Sequence, residues 1–259
     1  MPSQLDTAQT ETTRSTARSF KYLDALTTAF VVILLVSNLI AQKVCLLGPL
    51  SIFGRSIGPF AVSGAVLLFP VTYIFGDVFT EVYGYQASRR AIWIGFFASA
   101  LLSAAGAMAV ALPADPGWHN QQAFEKVFGV VPRFVAASLI AYWTGEFANS
   151  FTLAKLKVLT RGRWLWTRTI GSTVVGQAFD TFLVMFISFA GTVSRPTLIR
   201  LMVSSYLIKV GYETLATPLT YAGVAWLKRR EGVDALDTRT DFNPFSLRNL
   251  SPANEVKTP

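Results

Sequence analysis

The sequence feature that most constrains this chain is a long uninterrupted apolar run. Residues 91–114 are 24 consecutive positions without one charged side chain. A helix needs about 20 mostly apolar residues to cross the hydrocarbon layer of a bilayer, so this run is long enough. Only 15% of the chain is charged and 52% is hydrophobic. This balance argues against an ordinary soluble enzyme, a disordered protein or a disulfide-rich secreted domain.

Five further apolar runs accompany it, at residues 22–44, 58–76, 134–153, 170–193 and 198–227. We therefore predict an all-α polytopic membrane protein, a bundle of six transmembrane helices. The runs at 58–76 and 198–227 could also be buried helices of a soluble protein, but six such runs in one chain favour the membrane. The transmembrane domain is expected at 22–227. A polar segment, 1–21, precedes it, and a flexible tail, 228–259, follows it.

The distribution of Lys and Arg predicts the orientation. Sixteen of them fall in the two terminal segments and the second and fourth loops, whereas the other three loops hold six. Cytoplasmic loops carry the excess of positive charge, so both termini are expected in the cytoplasm of a bacterium, at its inner membrane. The net charge of +8 thus lines one membrane face, next to the lipid bilayer, and does not indicate nucleic-acid binding.

Polar residues interrupt the apolar runs at helical spacing. A charge at the bilayer centre costs about 2.5–3.5 kcal/mol and is retained where it faces protein or water. Residues three or four apart share one face of a helix. The polar residues in question are Asn38 and Gln42; Asp77 and Glu81; Tyr142, Glu146, Asn149 and Ser150; Gln177 and Asp180; and Tyr206, Lys209 and Glu213.

Each candidate also has a structural interpretation. Asn38 could simply bond a neighbouring helix, since amides link transmembrane helices. Lys209 and Glu213 could pair within their own helix, four residues apart. Glu146 and Asp180 have no charged residue within one turn of their own helices. These two are therefore favoured as residues that line a functional site.

Asp77 and Glu81 lie near the predicted cytoplasmic end of the second span. Arg89 and Arg90 follow closely and could neutralise them in an interfacial salt-bridge network. Alternatively, the carboxylates could take part in proton coupling, since a buried carboxylate can carry a proton. Both interpretations are open at this point.

Motifs of enzymes are missing from the sequence. It holds no phosphate-binding loop that ends in Gly-Lys-Ser/Thr, and its one histidine, His119, cannot build a histidine metal site or a serine triad by itself. We therefore expect a protein that is not an enzyme and needs no cofactor or metal. Small-molecule transport fits inward-facing carboxylates and amides better.

Several blocks resemble a known family. They are FPVTYIFGDVFTEVYGYQASRRAIWIGF (69–96), VSNLIAQKV (36–44), GQAFDTFLVMFISFAG (176–191), KVGYETLATPLTY (209–221) and DFNPF (241–245). The chain is thereby similar to the queuosine precursor transporter family of bacterial inner-membrane, vitamin-uptake-like proteins. The resemblance implies import of 7-deazaguanine precursors of queuosine, in the cyano or aminomethyl form.

The chemistry of such a substrate suits the polar residues. A deazaguanine presents N1–H and 2-amino donors, which one carboxylate can accept as a pair. We expect Glu146 or Asp180 to bind this edge, with Asn149, Gln177 or Asn38 near its carbonyl and an aromatic ring such as Tyr142 against its face. Coupling or gating candidates are Asp77, Glu81, Lys209 and Glu213.

Two other functions stay open. The chain could be the substrate-binding component of an uptake system with a separate ATPase, because Ala25 and Ala29 match a small-xxx-small pattern on the first helix. An integral-membrane enzyme is the weaker alternative. A homodimer and an unknown uptake partner are both compatible with the sequence.

Overall fold

The computed structural model describes residues 20–40, 43–47, 50–52, 55–57, 60–128, 132–191, 194–238 and 240–246. Helices dominate this part of the chain: α1 Leu23–Ile40, α2 Phe69–Val78, α3 Tyr85–Ala111, α4 Gln121–Phe128, α5 Pro132–Leu159, α6 Leu165–Phe189 and α7 Arg195–Glu231. The predicted helical fold is confirmed at this level. Gln42 and most of the N-terminal segment lie outside the described residues.

Short antiparallel strands between α1 and α2 were not predicted. β1 (Val44–Leu47) pairs with β4 (Phe60–Ser63), and β2 (Leu50–Ile52) pairs with β3 (Arg55–Ile57). The prediction of a continuous helix over 58–76 is therefore wrong in its first part. A short apolar run fits a strand as well as a helix, and periodicity alone does not separate the two.

The second predicted span is a composite helix. A 3-10 turn at Gly64–Leu67 leads into α2, and a π-helical turn, Phe79–Tyr83, continues it to Gly84. Gly84 has a φ of 86°, a conformation that suits glycine and ends the helix there. Asp77 and Glu81 thus lie one turn apart on the same continuous helical segment.

In the part of the chain that the structure describes, three helices are long and apolar enough to cross a membrane, namely α1, α3 and α6. α5 and α7 have 28 and 37 residues, so length alone would let them cross as well. Both are less apolar and extend into charged ends, such as Lys228 to Arg230 on α7. The six-span count and the orientation of the termini stay predictions.

The distribution of polarity is the reverse of that in a soluble protein. Leu215 and Leu101, on α7 and α3, are 82% and 68% exposed. Asn149, Ser172 and Gln177 are fully buried. Large exposed apolar surfaces indicate contact with a membrane or partner, so the outside of this helical protein is suited to lipid.

α5 and α6 approach each other most closely at two glycines. A Cβ added to Gly145 would lie 2.8 Å from the Cβ of Asp180, and one added to Gly176 would lie 2.7 Å from the Cβ of Asn149. Small residues allow such close contact between transmembrane helices. The contact places Asp180 beside Gly145 and Asn149 beside Gly176, about one helical turn apart along the α5–α6 pair.

The segment after α7 packs against the helices. Asp237 Oδ2 accepts a hydrogen bond from the Tyr85 backbone N–H at 3.1 Å. Arg89 Nη1 donates to the carbonyl oxygens of Asp241 and Asn243, and Trp93 Nε1 donates to that of Pro244. The expectation of a flexible tail is therefore wrong for the described residues after Glu231, because α3 supplies partners that the local composition does not reveal.

Candidate functional site

Four helices bring carboxylates together inside the protein. Asp77 comes from α2, Glu146 from α5, Asp180 from α6 and Glu213 from α7. Glu146 experiences the charges of Glu213, Asp77 and Asp180, so it lies within electrostatic range of the other three. We call these four residues the acidic cluster. Asp77, Glu146 and Glu213 are buried, and the side chain of Asp180 is 13% exposed.

Three members of the acidic cluster receive a hydrogen bond from a neighbouring helix. Asn149 Nδ2 donates to Asp77 Oδ1 at 3.1 Å, and Gln177 Nε2 donates to Glu213 Oε1 at 2.9 Å. Lys209 Nζ lies 2.5 Å from Asp180 Oδ2 in an ion pair between α7 and α6. Pairing of Lys209 with Glu213 within α7 was one open alternative; Lys209 forms its ion pair with Asp180 on α6 and also acts on Glu213 through its charge.

Glu146 is the member of the acidic cluster that has no such hydrogen bond at Oε2 from the described residues. Its Oε2 is buried, and no described residue forms a hydrogen bond with it. A Cβ added to Gly76 would lie 3.0 Å from this oxygen, so the carboxylate occupies the space that the glycine leaves. The position of Gly76, directly before Asp77, is the sequence signal that could have indicated this approach of α2 to α5.

Other buried acceptors of the site are also unsatisfied. Glu213 Oε2, Asn149 Oδ1 and Gln177 Oε1 are buried without a hydrogen-bond partner in the described part of the chain. Buried polar atoms in folded proteins nearly always have a partner. These acceptors suit a ligand that brings N–H groups, and the buried Thr181 hydroxyl and Trp143 Nε1, also without a partner among the described residues, could donate to one.

Tyr73 and Thr173 complete the surroundings of these acceptors. Tyr73 is buried on α2 within hydrogen-bonding range of the Gln177 amide, and it experiences the charges of Asp180, Glu146 and Glu213. Thr173, one turn before Gln177 on α6, approaches Glu213. Thr173 was not predicted, because a lone threonine in an apolar helix carries no distinctive signal.

Two predicted site residues have partners elsewhere. Asn38 Nδ2 donates to Ser99 Oγ at 3.2 Å and so links α1 to α3. This contact fits the structural interpretation of Asn38, in which its amide joins neighbouring helices. Tyr142 Oη donates to the carbonyl oxygen of Ile92 at 3.4 Å, and the same hydroxyl would lie 2.6 Å from a Cβ added to Gly95. Tyr142 also experiences the charge of Glu146, so it borders the acidic cluster on the α3 side.

Glu81 belongs to a separate group of charges. The buried Oε1 of Glu81 lies 2.7 Å from Arg168 Nη2, 2.8 Å from Lys228 Nζ and 3.5 Å from Lys157 Nζ. Asp234 adds a second carboxylate, 2.7 Å from Lys157 and 2.9 Å from Lys228. We call these five residues the Glu81 network. It joins the π-helical turn, α5, α6 and α7 to the C-terminal segment.

The Glu81 network corrects one sequence prediction. Arg89 was expected to neutralise Asp77 or Glu81, but it donates to backbone carbonyls of the C-terminal segment. The cations beside Glu81 come from distant helix ends, which spacing within one helix cannot reveal. A salt-bridge network thus exists around Glu81, with other cations than Arg89 and without Asp77, and its position at the membrane interface stays a prediction.

The two aspartates of the C-terminal segment differ in their surroundings. Burial alone would raise the pKa of Asp234, but the adjacent Lys157 and Lys228 hold it below the usual aspartate value. Burial raises the pKa of Asp237, although hydrogen bonds from Thr240 and from the Tyr85 backbone partly oppose that shift. Asp234 is therefore the member of this pair that an ion pair stabilises in its charged form.

Among the residues that the structure describes, no group of three or more His, Cys, Asp or Glu side chains is arranged to hold a metal ion. The carboxylates of the acidic cluster come from different helices and alternate with amides. An organic ligand with several donors fits this arrangement better.

Comparisons with known proteins agree with this picture. A family described as "Putative vitamin uptake transporter" matches residues 63–223, a range that includes all four members of the acidic cluster. A protein of Bacillus subtilis (strain 168) named "Probable queuosine precursor transporter" is 31% identical over 159 residues, which are 60% of this chain and 69% of the relative. No solved structure matches the chain. The resemblance seen in the sequence motifs is thus confirmed, and the chain belongs to this family of membrane transporters.

Proposed function

We propose that this protein imports 7-deazaguanine precursors of queuosine across the bacterial inner membrane into the cytoplasm. The name of the Bacillus subtilis relative supports the substrate class. The observation that carries the proposal is the buried Glu146 Oε2, which no described residue pairs, beside the unsatisfied carbonyl oxygens of Asn149 and Gln177. These acceptors match the N–H donors of a guanine-like base.

Glu146 is the better of the two carboxylates for the guanine-like edge. Asp180 already accepts a hydrogen bond from Lys209, so its charge is compensated inside the protein. Glu146 is buried and receives no comparable donor at Oε2. One carboxylate can accept N1–H and the 2-amino group together, and hydrogen bonds to a charged group are the stronger kind.

The amides beside Glu146 serve the rest of the base. Each amide nitrogen carries two hydrogens. Asn149 uses one of them on Asp77, and Gln177 uses one on Glu213. The second hydrogen of Asn149 is available to the base carbonyl O6, whereas the Gln177 amide also faces Tyr73. The carbonyl oxygens of both amides are available to ring or amino N–H groups. Tyr73 offers an aromatic face at the same level.

The remaining charged residues have different roles in this proposal. Asp77, Lys209 and Glu213 surround the substrate and are the candidates for coupling or gating. Glu81 is held by three cations and stabilises the junction of the helices. The transmembrane domain covers 22–227, and both termini face the cytoplasm, as the distribution of Lys and Arg predicts.

The test uses a bacterial strain that cannot synthesise queuosine precursors. With this gene and an external precursor, the strain should contain queuosine in its tRNA, and without the gene it should not. Replacing Glu146 or Asp180 by Ala should abolish this rescue while the protein still inserts into the membrane. Full rescue by both variants would contradict the assignment of the site.

Purified protein in liposomes distinguishes the other two functions. Uptake of unaltered precursor by this chain alone supports a self-sufficient transporter. Uptake that requires an added ATPase module would instead indicate a substrate-binding component. Recovery of a chemically altered precursor would indicate an enzyme.

A further inference from the structure

We infer that the Glu81 network and the strap, the residues 232–238 that follow α7, form a gate on the path by which substrate leaves the acidic cluster. This inference rests on the proposed function, because a transporter must open a path from its buried site to one side of the membrane. The gate lies at the end of the bundle where the π-helical turn meets α3. The proposed function places this end in the cytoplasm. The gate is closed in this structure and has to open for release.

The acidic cluster is partly exposed away from the Glu81 network and closed beside it. The side chains of Asp180 and Lys209 are 13% and 25% exposed, and Asp180 lies about 18 Å from Arg168 along the axis of α6. At the other end, Thr80, Glu81 and Arg168 are at most 1% exposed. A substrate that enters beside Asp180 therefore has to pass the Glu81 network to leave at the opposite end.

Lys157 joins the strap to the π-helical turn. Its Nζ donates to the carbonyl oxygens of Glu81 at 2.5 Å and Ala235 at 2.6 Å, and to Asp234 Oδ1 at 2.7 Å. The Ala235 backbone N–H also donates to the carbonyl oxygen of Val82 at 3.2 Å. The strap thus lies directly across the turn, and it has to break these contacts to move away.

α7 connects the acidic cluster to the gate. It carries Lys209 and Glu213 beside the cluster, and Lys228 in the Glu81 network. Pro218 lies between these two levels, and a proline inside a helix removes a backbone hydrogen bond and permits bending there. The strap begins at Gly232, whose φ of 62° ends α7. A movement of α7 at the substrate therefore reaches both parts of the gate.

The charges of the Glu81 network suit a contact that opens. Lys157, Arg168 and Glu81 are buried, and desolvation makes buried charges unfavourable even when they are paired. Opening admits water, which hydrates the separated charges and offsets the loss of their ion pairs. Glu81 Oε2 and Arg168 Nε are also buried without a hydrogen-bond partner among the described residues. The closed arrangement therefore leaves two polar atoms that water would satisfy.

The experiment follows the reactivity of a cysteine under the strap. The chain has one cysteine, so Cys45→Ser gives a background without thiols. In this background, Ala235→Cys places a thiol at a buried position, where the missing side chain of Gly84 leaves room for the sulfur. Thr238→Cys, exposed on the same strap, is the matched control. Full-length protein in liposomes is treated with N-ethylmaleimide, with and without cyano or aminomethyl deazaguanine, and uptake is measured in the same samples.

A gate predicts that precursor changes the reactivity of the buried thiol alone. Ala235→Cys should react about tenfold faster during uptake, because the open state changes from a minor to a substantial population. Thr238→Cys should react at one rate with and without precursor. Uptake without any acceleration at Ala235→Cys would overturn the gate and leave the proposed function intact. Absence of uptake by the wild-type protein would instead overturn the proposed function.

Hydrogen exchange follows the strap without a substitution at Ala235. The hydrogen bond of its backbone N–H to Val82 protects this amide in the closed state. Precursor should therefore accelerate exchange in the strap of the wild-type protein by about tenfold, as it does the labelling. Unchanged protection during uptake would overturn the gate even if Ala235→Cys fails to fold.

Asp234→Asn tests the ion pairs of the strap. The Asp234 side chain is 42% exposed and pairs with Lys157 and Lys228, so this change weakens the closed state and keeps the length of the side chain. Without precursor, N-ethylmaleimide should label Ala235→Cys about threefold faster in this variant, since partly exposed ion pairs contribute modestly. Asp115→Asn, in an exposed loop, should leave the rate unchanged. Equal rates in the two variants would overturn the role of Asp234 in closing the gate.

Discussion

Lys209 Nζ on α7 lies 2.5 Å from Asp180 Oδ2 on α6. This ion pair distinguishes Asp180 from Glu146, although both are isolated acidic residues in apolar helices. It compensates the charge of Asp180 and also ties α6 to α7 beside the acidic cluster. In the proposed function, Asp180 is paired with Lys209 and Glu146 is the carboxylate that binds the substrate.

The pair should show non-additive effects on stability. Asp180→Asn removes this carboxylate from Lys209, and Lys209→Met removes the cation from Asp180, so each single change should destabilise the protein. The loss should be smaller than the about 3–5 kcal/mol seen for fully buried pairs, because the Lys209 side chain is 25% exposed. The double variant should recover part of the loss. Thermal unfolding of detergent-solubilised protein measures this, and strict additivity of the two single effects would contradict the coupling.

Gly76 should be required for function more than for folding. An added Cβ would lie 3.0 Å from Glu146 Oε2, so Gly76→Ala must displace the end of that side chain. We expect uptake to fall by about tenfold or more, because the proposed acceptor moves from its position. Gly211→Ala on α7 is the matched control, since its Cβ would meet no atom within 4 Å. Equal uptake by the two variants would argue against a role for the space at Gly76.

Much of this architecture could be predicted from the apolar runs, since a long uncharged segment such as 91–114 predicts a helix. Helix ends were less predictable, because helical hydrogen bonding continues beyond the apolar core into charged turns, as it does from Leu227 to Glu231. The grouping of Glu146, Asn149, Gln177 and Asp180 could be expected from their helical spacing. The cations around Glu81 could not be predicted, because contacts between distant helices leave no periodic signal in the sequence. They are Lys157, Arg168 and Lys228.

The C-terminal segment should contribute to stability through Arg89. Arg89 Nη1 donates to two backbone carbonyls of that segment, at 3.0 and 2.7 Å, and its side chain is buried. Arg89→Ala should lower the free energy of unfolding by about 1.5–3 kcal/mol per hydrogen bond to a charged group, or less if water replaces it. The adjacent Arg90 is exposed, so Arg90→Ala should have almost no effect. Thermal unfolding of the two variants in the same detergent makes the comparison, and an equal loss in both would refute the anchoring role of Arg89.

Asp234 should make stability depend on acidic pH. Lys157 and Lys228 hold the pKa of Asp234 below its usual value despite the opposing effect of burial, so the folded state favours the ionised form. Its stabilising contribution is therefore complete above the ordinary aspartate pKa of about 3.9 and is lost as the pH falls through the lower folded value. Asp234→Asn should therefore lose less stability on acidification than the wild type. The measurement is the midpoint of thermal unfolding at a series of pH values. Asp115→Asn, in an exposed loop, should keep the wild-type profile. A profile of Asp234→Asn identical to that of the wild type would contradict the expected linkage.

The most direct test of the central claim is whether Glu146 recognises the guanine-like edge. The measurement is equilibrium binding of aminomethyl deazaguanine and of its analogue without the 2-amino group, to purified wild-type protein and to Glu146→Gln. Wild-type protein should bind the complete base at least about tenfold more tightly than the analogue that lacks the 2-amino group. Glu146→Gln should lose most of this discrimination between the two compounds. The same discrimination in both proteins would show that Glu146 does not contact this edge.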